Sequence, residues 1–583
     1  MTIPRALLEF ADPHHPGRAA TRHAFGEPQQ VLVARTLDEV KPVLQQVDAL
    51  SRQGLWCVGY VRYEAAPAFD AALQVHPAEG PLVWFGVHAQ PLAESTAPSL
   101  AAEPQVTWTP RIQRDTFDAN MARIHAAIAA GDFYQLNYTA QLEAPFASSV
   151  TGSAWAYFSA LRRSQPRGYG AFIDTGDEQV LSVSPELFFD WDGHQILGRP
   201  MKGTAARGAT PDEDSANAER LRSTPKEQAE NVMIVDLIRN DLSRVAEPFS
   251  VKVPHLFHLE ALPTVWQMTS DVVATTRVGT SLWDVFAALF PCGSVTGAPK
   301  VQAMRQITAL EPDARGVYCG AVGVVRPGGH ATFNVPIRTV TVRGDTACCG
   351  IGSGITFDAQ AEGEWQEWAS KRMFLERASQ PFELLETLAL VDGVVRHQAL
   401  HLQRMAAAAA HFGWGWSEAA ALQALAEVSA AHPGGAWRVR LLLQLDGRFT
   451  AQAFALAPTP EPVRLQLATR PLDEAHGEFV RFKTTRRAHY DAFTPTDAAV
   501  FDTVLFNPEG EITECTRGNI ALLLAGRWVT PPLHCGLLPG VGRAVALAQG
   551  RVVEQVVTAA QWPQVQAVAF INSLRGWLDA ELA

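Results

Sequence analysis

Residues 131–138 read Gly131-Asp132-Phe133-Tyr134-Gln135-Leu136-Asn137-Tyr138, and in this stretch a helical pattern stops and a strand pattern begins. Before it, residues 111–130 carry apolar side chains at helical spacing, and glycine is a typical helix stop. Short β-rich segments separated by Gly or Pro lie nearer the start, at 31–34, 55–61 and 82–87. The sequence therefore predicts an α+β first domain that contains much sheet.

Length and composition predict a globular protein with more than one domain. The 583 residues exceed what a single core usually supports, and 47% of them are hydrophobic while 19% are charged. The pattern of strands and helices changes near residue 380, after the helical stretch that closes at residues 377–381. We expect one domain at 1–380, with 1–105 as its N-terminal part, and a second at 381–583.

Charge and hydropathy exclude several classes of partner. A net charge of −12 disfavours nucleic acid and anionic membranes, which both reward clustered Lys and Arg. No apolar run of about 18 residues predicts a membrane span, and residues 1–13 lack the pattern of a signal peptide. The seven cysteines form no CxxC pair, which suits a reducing compartment. A cytoplasmic protein is expected.

Two pairs of glutamates lie on predicted helices. Glu227 and Glu230 are three residues apart, as are Glu364 and Glu367, so each pair shares one helix face. If the two helices converge, their carboxylates can bind Mg2+, which usually takes one or two protein carboxylates together with water and substrate. Solvated helix faces are the alternative, with Lys371 supporting Glu367 one turn along.

Two further stretches lack the features of common nucleotide motifs. Residues 290–300 place small residues and hydroxyls before a predicted helix, which suits an anion, but the Gly-Lys-Ser/Thr ending of a Walker loop is missing. The glycines of 350–354 have no Rossmann context and predict a close backbone approach to a ligand or another strand. Lys202 lies in a strand-turn segment, where a solvated lysine is the ordinary interpretation.

In their order along the chain, these segments resemble the chorismate-utilising enzymes across residues 1–380, which implies a chorismate-binding β-sandwich with surrounding helices. The motifs that carry the resemblance are Gly131–Asn137, Ser184–Phe188, Pro200–Thr204, Lys226–Asp241, Ser294–Lys300, Pro336–Thr339 and Gly350–Glu367.

The resemblance implies a role for each matching residue. Glu230 and Glu367 would bind Mg2+, with Glu227 and Glu364 as outer carboxylates, and Glu186 would be the general acid/base. The expected substrate-binding residues, several of them holders of the two carboxylates of chorismate, are Gln135, Gln267, Ser294, Thr296, Tyr318, Arg338, Gly352, Gly354 and Lys371.

Two positions choose among the branches of this family. Isochorismate and salicylate synthases carry a lysine base where this chain has Gln135, and anthranilate synthases carry alanine where it has Lys202. A lysine there is typical of aminodeoxychorismate synthase component I, in which the amine attacks C2 and ammonia then enters at C4. Attack needs a neutral amine, so we expect the pocket to lower the pKa of Lys202.

One residue departs from the family pattern. One N-terminal segment is similar to a regulatory site of relatives but fits a structural role. Many relatives have histidine where this chain has Gln267, which can donate a hydrogen bond but cannot carry a proton, so we expect it only to orient substrate. The segment Leu7-Leu8-Glu9 is similar to a feedback site of relatives, but we predict a buried strand there.

The resemblance also implies a source of ammonia. None of the seven cysteines lies in the Gly-x-Cys-x-Gly setting of a glutamine amidotransferase. The expected partners are therefore chorismate and a separate amidotransferase subunit that supplies ammonia.

Residues 381–583 resemble the fold-type IV pyridoxal-phosphate enzymes, a smaller α/β fold that includes aminodeoxychorismate lyases and branched-chain aminotransferases. The motifs are His401–Met405, Arg481–Arg487, Asn507–Glu514, Asn519 and Gly536–Arg543. Lys483 would bond to the cofactor, Glu514 would pair with its ring nitrogen, and its phosphate would be held by Arg404 and the amides of Val541 and Gly542.

The sequence thus predicts a bifunctional enzyme that makes 4-aminobenzoate for folate from chorismate. The first domain would aminate chorismate at C4 through Lys202, and the second would eliminate pyruvate. Anthranilate synthase is the first alternative, and a branched-chain-type aminotransferase is the alternative for the second domain. A binding or regulatory protein whose sites have decayed is disfavoured by the intact glutamate pairs and by Lys202 and Lys483.

Overall fold

The computed structural model of the protein describes residues 3–15, 20–92, 105–147, 152–165, 168–206, 211–261, 265–379, 382–445 and 447–582. The chain forms two compact units, Met1–Gln380 and Pro381–Ala583. Residues 380 and 381, where the sequence predicts the boundary, lie outside the described residues. Within the described ranges, no helix has the length and apolar character needed to cross a membrane.

The first unit contains two antiparallel sheets. Its strands are β1 (Ala6–Phe10), β2 (Thr21–Phe25), β3 (Gln30–Ala34), β4 (Trp56–Val61), β5 (Val83–His88), β6 (Thr109–Pro110), β7 (Gln135–Pro145), β8 (Tyr169–Asp174), β9 (Gln179–Ser184), β10 (Leu187–Trp191), β11 (Gln195–Arg199), β12 (Met201–Ala206), β13 (Lys252–Ala261), β14 (Val265–Thr275), β15 (Gly297–Ala298), β16 (Ala321–Val325), β17 (Ala331–Asn334), β18 (Thr339–Arg343) and β19 (Thr346–Ile355).

The two sheets pack face to face as a β-sandwich. One sheet runs in the order β15-β7-β19-β18-β9-β8-β1-β2 with β6 on β7, and the other runs β12-β14-β11-β10-β17-β16-β4-β5-β3 with β13 on β14. Leu8 and Phe25 of the first sheet share a buried cluster with Val58 and Val322 of the second. Alternate residues of each strand thus fill the space between the layers, as facing sheets require.

Helices cover the outer face of each sheet. They are α1 (Leu37–Arg52), α2 (Ala66–Phe69), α3 (Arg114–Ala130), α4 (Ser153–Ser164), α5 (Pro211–Ser223), α6 (Pro225–Ser243), α7 (Leu282–Leu289), α8 (Lys300–Leu310) and α9 (Ala361–Ser379). Residues of α1, α6 and α7 pack on the second sheet, and residues of α3, α4 and α9 pack on the first. The predicted sandwich with surrounding helices is confirmed.

The helix-to-strand transition lies where the sequence predicts it. Helix α3 ends at Ala130, and Gly131 caps it in the left-handed region with φ of 82°. Strand β7 then begins at Gln135 and pairs with β19 and β15. The helix begins at Arg114, three residues later than the apolar pattern suggested. Just before it, residues 109–110 form the short strand β6, which pairs with β7. The segment around Leu7 is a buried strand, as predicted.

The second unit is a smaller α/β structure with two sheets, as predicted. Its strands are β20 (Leu384–Val391), β21 (Val394–Val395), β22 (Ala436–Leu443), β23 (Phe449–Ala455), β24 (Val463–Leu467), β25 (Asp502–Phe506), β26 (Ile512–Cys515), β27 (Asn519–Leu524), β28 (Arg527–Thr530), β29 (Val553–Glu554), β30 (Ala567–Asn572) and β31 (Gly576–Leu582). The sheet orders are β21-β20-β22-β23 and β26-β25-β24-β31-β30-β27-β28-β29. Its helices are α10 (Gln398–Phe412), α11 (Glu418–Ala431), α12 (Glu478–Arg481), α13 (Ala488–Asp491) and α14 (Val541–Ala548).

Candidate active sites

Lys202 lies on an irregular part of β12. This strand pairs with β14, but the register shifts between Met201 and Thr204, and Gly203 occupies the left-handed region with φ of 96°. Residues with a side chain rarely adopt this conformation. A Cβ atom at Gly203 would also lie 2.8 Å from Oε2 of Glu227. The glycine of the motif therefore lets the strand turn beside α6 where the lysine leaves it.

Helices α6 and α9 place carboxylates around the amine of Lys202. The Lys202 Nζ atom lies 3.0 Å from Oε2 of Glu230, and the lysine side chain is only 19% exposed. Glu367 and Glu364 of α9 also act on the amine electrostatically. The structure thus brings the two predicted acidic faces together, and Lys202 lies between them.

This arrangement raises the pKa of Lys202. Burial alone would lower that pKa, but the charges of Glu230 and Glu367 outweigh burial. The expectation of a lowered pKa is therefore wrong for these surroundings. It considered burial and neighbouring cations, whereas the nearest charged groups are carboxylates that stabilise the ammonium form.

The chemistry of the carboxylate set fits Mg2+. Burial and the charge of Glu230 raise the pKa of Glu227, which shows that negative charge is crowded here. Within the described residues, no three His, Cys, Asp or Glu side chains are arranged as a closed metal cluster. Mg2+ does not require one, because it commonly keeps several waters and binds one or two carboxylates. The site is an open set of oxygen donors that water and substrate would complete.

Gln135 and Gly354 lie beside the lysine. A Cβ atom added to Gly354 would lie 2.7 Å from Nε2 of Gln135 and 2.8 Å from Nζ of Lys202. The Gln135 side chain is buried, and its carbonyl oxygen has no hydrogen-bond partner. A buried acceptor without a partner is costly. This amide oxygen is therefore available to a group that enters the site.

Glu186 is a buried carboxyl group at the same site. Ser294 Oγ donates a hydrogen bond to its Oε1 at 2.7 Å, and the backbone N–H of Met201 donates another. Burial raises the pKa of Glu186 to about 7 despite these donors. Glu186 can therefore hold and release a proton near neutral pH.

Thr296 forms a hydrogen bond within its own turn. Its hydroxyl donates to the carbonyl of Cys292 at 3.1 Å.

The expected carboxylate-binding residues surround strand β19. Lys371 Nζ donates to the carbonyl of Gly352 at 2.9 Å and lies 2.7 Å from Oε1 of Glu367. Tyr318 packs its ring where a side chain on residue 350 would lie. Arg338 is partly buried, has a positive φ of 49°, and donates a hydrogen bond to Gln165. Burial lowers its pKa to about 10, which leaves a partly desolvated cation able to meet an anion.

Gln267 has a different environment from the one expected. Its Nε2 donates to the carbonyl of Gly203 at 2.8 Å, and its Oε1 accepts from Thr204 Oγ1 at 3.1 Å. Both ends of the amide therefore hold the strand that carries Lys202. Asn231 holds the same strand through a 3.2 Å bond to the Lys202 carbonyl. It was missed as a site residue, although it follows Glu230 directly in the sequence.

Lys483 lines a cavity of about 510 Å3 in the second unit. Its backbone carbonyl accepts from the N–H of Leu385 at 3.0 Å, which fixes the chain beside β20. Burial lowers the pKa of Lys483 to about 8, and the charges of Arg404 and Arg487 act in the same direction. A substantial fraction of the amine is therefore neutral near physiological pH.

Glu514 lies at the base of the same cavity, on β26. Its Oε1 accepts from the Tyr490 hydroxyl at 2.7 Å and from the N–H of Leu538 at 3.2 Å. Asn519 Nδ2 lies 3.4 Å from its Oε2. Burial raises the pKa of Glu514 to about 7. This carboxyl group can therefore share a proton with a basic ring nitrogen.

Arg404 and the start of α14 line the same cavity. Arg404 Nη1 donates to the carbonyl of Pro539 at 3.0 Å, directly before the helix. Val541 and Gly542 are the first residues of the helix and line the cavity. A Cβ atom at Gly542 would lie 2.5 Å from the backbone of Asn572. A guanidinium and free helix N–H groups suit a phosphate.

The cavity of the second unit is rich in positive charge, although the chain carries a net charge of −12. The cationic residues that line it are Arg404, Arg438, Lys483, Arg486, Arg487, Arg517 and Arg575, and the acidic ones are Asp491, Asp497 and Glu514. Such a cavity favours anionic ligands.

Comparison with known proteins finds a family model in each part of the chain. A family model described as chorismate binding enzyme matches residues 87–377. Aminodeoxychorismate synthase component 1 of Bacillus subtilis is 32% identical over 330 residues, which are 56% of this chain and 67% of that protein. The chain belongs to the chorismate-binding enzyme family. An amino-transferase class IV model matches residues 383–581.

Other members of the chorismate-binding family include both nitrogen-transferring branches. Aminodeoxychorismate synthase component 1 of Klebsiella aerogenes is 37% identical over 290 residues, covering 50% of this chain and 62% of that protein. Anthranilate synthase component 1 of Neisseria gonorrhoeae is 36% identical over 266 residues, covering 46% and 53%. The chain thus spans about three-fifths of the length of the first curated relatives, 62%, 57% and 57%.

A solved structure supports the fold of the first unit alone. Anthranilate synthase component I of Streptococcus pneumoniae has a TM-score of 0.51 and 24% identity, and the match covers 64% of this chain and 90% of that one.

Alanine substitutions at two glycines of β19 should distinguish damage to the active site from damage to the fold. In Gly354→Ala the new methyl group meets the ends of Lys202 and Gln135, which can move, so we expect the catalytic rate of the first unit to fall while the melting temperature stays near wild type. In Gly352→Ala the methyl group lies 2.5 Å from the carbonyl of Tyr138, which cannot move cheaply, so the melting temperature should fall. Equal thermal destabilisation of both variants, measured by calorimetry, would contradict this distinction.

Proposed function

We propose that the first unit acts as an aminodeoxychorismate synthase component I and the second as an aminodeoxychorismate lyase, so that the chain makes 4-aminobenzoate from chorismate. The observation that carries the first assignment is the largely buried amine of Lys202, 3.0 Å from Glu230 and beside Gln135. A lysine in such a place can act as a nucleophile once Mg2+ offsets the carboxylates that favour its ammonium form.

Lys202 would direct nitrogen to C4. Its amine forms a bond to C2 of chorismate, the ring double bonds shift, and the C4 hydroxyl leaves with a proton as water. Ammonia then bonds to C4, the double bonds shift back, and the lysine amine leaves C2. The net change replaces the hydroxyl by an amino group, and the blocked C2 position explains the choice of carbon.

Glu186 would supply the proton for the departing hydroxyl. Its carboxyl group is buried with a pKa of about 7, so both protonation states are present at neutral pH. Its hydrogen bonds to Ser294 and to the N–H of Met201, the residue before Lys202, keep it next to the nucleophile. These contacts support the role of general acid.

Glu230 and Glu367 would hold Mg2+, with Glu227 and Glu364 outside them. The ion would supply a positive centre for the ring carboxylate of chorismate and would offset the charge that now favours the ammonium form of Lys202. Lys371, Tyr318 and Arg338 would orient the substrate carboxylates.

Anthranilate synthase is the alternative for the first unit. Sequence identity does not separate the two, because the relatives of each kind are 37% and 36% identical. Lys202 favours C4 amination, because anthranilate synthases resemble this chain but carry alanine at that position. We further propose that ammonia comes from a separate glutamine amidotransferase.

Pyridoxal phosphate would be the cofactor of the second unit, where it supplies an electron sink for the loss of pyruvate. Lys483 would bond to it and, with a pKa of about 8, can also move a proton. Glu514, with a pKa of about 7, would hold a proton at the ring nitrogen. Arg404 and the N–H groups of Val541 and Gly542 would bind the phosphate.

The charge of this cavity favours the lyase over a branched-chain aminotransferase. A branched-chain amino acid brings one carboxylate and an apolar side chain, whereas aminodeoxychorismate brings two carboxylates. Cationic groups remain beyond those proposed to bind the cofactor, among them Arg438 and Arg575. The single carboxylate of a branched-chain substrate can pair with only one of them.

Replacing the nucleophile should stop C4 amination. With chorismate, Mg2+ and ammonium, we expect Lys202→Ala to form aminodeoxychorismate and 4-aminobenzoate together at least about 100-fold more slowly than wild type, because the residual rate then depends on binding alone. Lys226→Ala is the matched control, since Lys226 lies 3.9 Å from the same Glu230 but is 48% exposed. Undiminished synthesis by Lys202→Ala, or anthranilate as the only wild-type product, would refute the assignment.

The pH dependence of chorismate consumption should reflect Glu186. The acid form is present below its pKa of about 7, so we expect kcat/KM for chorismate to decrease as pH rises through that value. Glu186→Gln should lower activity by about 100-fold or more and lose this limb of the profile. If the limb persists in Glu186→Gln with the same midpoint, another group is the acid.

Removing the second lysine should separate the two activities in one chain. We expect Lys483→Ala to accumulate aminodeoxychorismate from chorismate, because the first unit is unchanged and the second lacks its amine. The rate of chorismate loss is the internal control, and product analysis by chromatography is the measurement. Formation of 4-aminobenzoate at the wild-type rate would show that Lys483 is not needed.

A further inference from the structure

A buried network connects the phosphate end of the second cavity to a carboxylate that the proposed chemistry does not use. Glu386 of β20 is 1% exposed, and its two oxygens face three donors. Arg404 donates to it from Nε at 2.8 Å and from Nη2 at 2.6 Å, and His401 Nδ1 lies 2.6 Å away. Ser573 Oγ lies 2.8 Å from the other ring nitrogen of His401.

The charge of Glu386 defines the direction of these bonds. Burial would raise the pKa of Glu386, but Arg404 and His401 lower it to about 2, so the group is ionised at neutral pH. A carboxylate only accepts hydrogen bonds, so Nδ1 of His401 carries a proton. The ring is therefore locked in orientation, and its Nε2 edge faces Ser573.

The two ends of the network face the same cavity. Arg404 and Ser573 both line it, and Asn572, the neighbour of Ser573, contacts Gly542 at the start of α14. Arg404 has five N–H groups, of which two bond to Glu386 and one to the carbonyl of Pro539, so two remain for an anion. Because Nδ1 of His401 carries the proton, Nε2 accepts, and Ser573 Oγ donates its hydrogen to it.

We propose that Glu386 is the positioning residue of the phosphate site, because it fixes the guanidinium of Arg404, while His401 and Ser573 hold Glu386 from the other side. The guanidinium then binds a dianionic phosphate in a fixed orientation. A side chain that is already fixed loses less conformational entropy when it binds, so the network strengthens binding without touching the ligand. This inference rests on the proposed pyridoxal-phosphate site.

The test uses the apo form of the full chain and two ligands that differ only in the phosphate. Pyridoxal phosphate and pyridoxal are titrated by absorbance and fluorescence. We expect Glu386→Gln to weaken binding of pyridoxal phosphate at least about tenfold and to leave binding of pyridoxal unchanged. Glu383→Gln is the matched control, because Glu383 bonds to Gln444 outside the network and should change neither affinity.

A double-mutant cycle tests the part played by the histidine. His401→Gln and Glu386→Gln should each weaken binding of pyridoxal phosphate, and the double variant should bind it no more weakly than Glu386→Gln alone, because His401 acts through Glu386. Additive losses would overturn the claim that His401 acts through Glu386.

Three other outcomes of these titrations would each refute the inference. If Glu386→Gln weakens pyridoxal and pyridoxal phosphate equally, its role is structural and the inference is wrong. If Glu386→Gln binds pyridoxal phosphate like the wild type, only the positioning role is refuted. If the wild-type chain binds no pyridoxal phosphate, the cofactor assignment fails, and the inference fails with it.

Discussion

The first unit depends on one electrostatic constraint, which is the crowding of carboxylates from two helices around a single lysine. Glu230 and Glu367 lie on helices separated by more than a hundred residues, and like charges brought together in a partly buried site destabilise the fold unless a cation accompanies them. Lys202 provides that charge at 3.0 Å. Lys202 is therefore both the proposed nucleophile and the counter-ion that stabilises this acidic site.

In the second unit the charges crowded around the lysine are mainly positive rather than negative. Arg404 and Lys483 line one cavity, and the pKa of Lys483 is lowered to about 8 by burial and neighbouring cations. Glu386 compensates Arg404 from within the protein rather than from the cavity. The chain thus contains one lysine whose pKa is raised by carboxylates and one whose pKa is lowered by burial and arginines. Their surroundings, and not their residue type, determine which chemistry each can perform.

Local patterns in the sequence predicted the elements that carry the sites, but not the environment of each side chain. Gly131 as a helix stop and the close approach around Gly352 follow from backbone sterics, which act over a few residues. The raised pKa of Lys202 depends on Glu364 and Glu367, whose distance from it is set by tertiary structure. His401 was visible in a motif, but its partner Ser573 lies 172 residues away, so only the fold shows that they form one network. The hydrogen bonds of Gln267 to Gly203 and Thr204 could not be predicted from the sequence either, because they depend on strand register.

The cationic lining of the second cavity has a consequence for how ligands reach it. At physiological ionic strength the influence of a charge decays over about 8 Å, so acidic groups elsewhere on the surface are largely screened from the cavity mouth. Arg438 and Arg575 line the cavity and act on an anion inside it. The local field, rather than the net charge of −12, therefore governs the encounter with a dianion. An acidic protein can in this way capture acidic metabolites without becoming a general binder of polyanions.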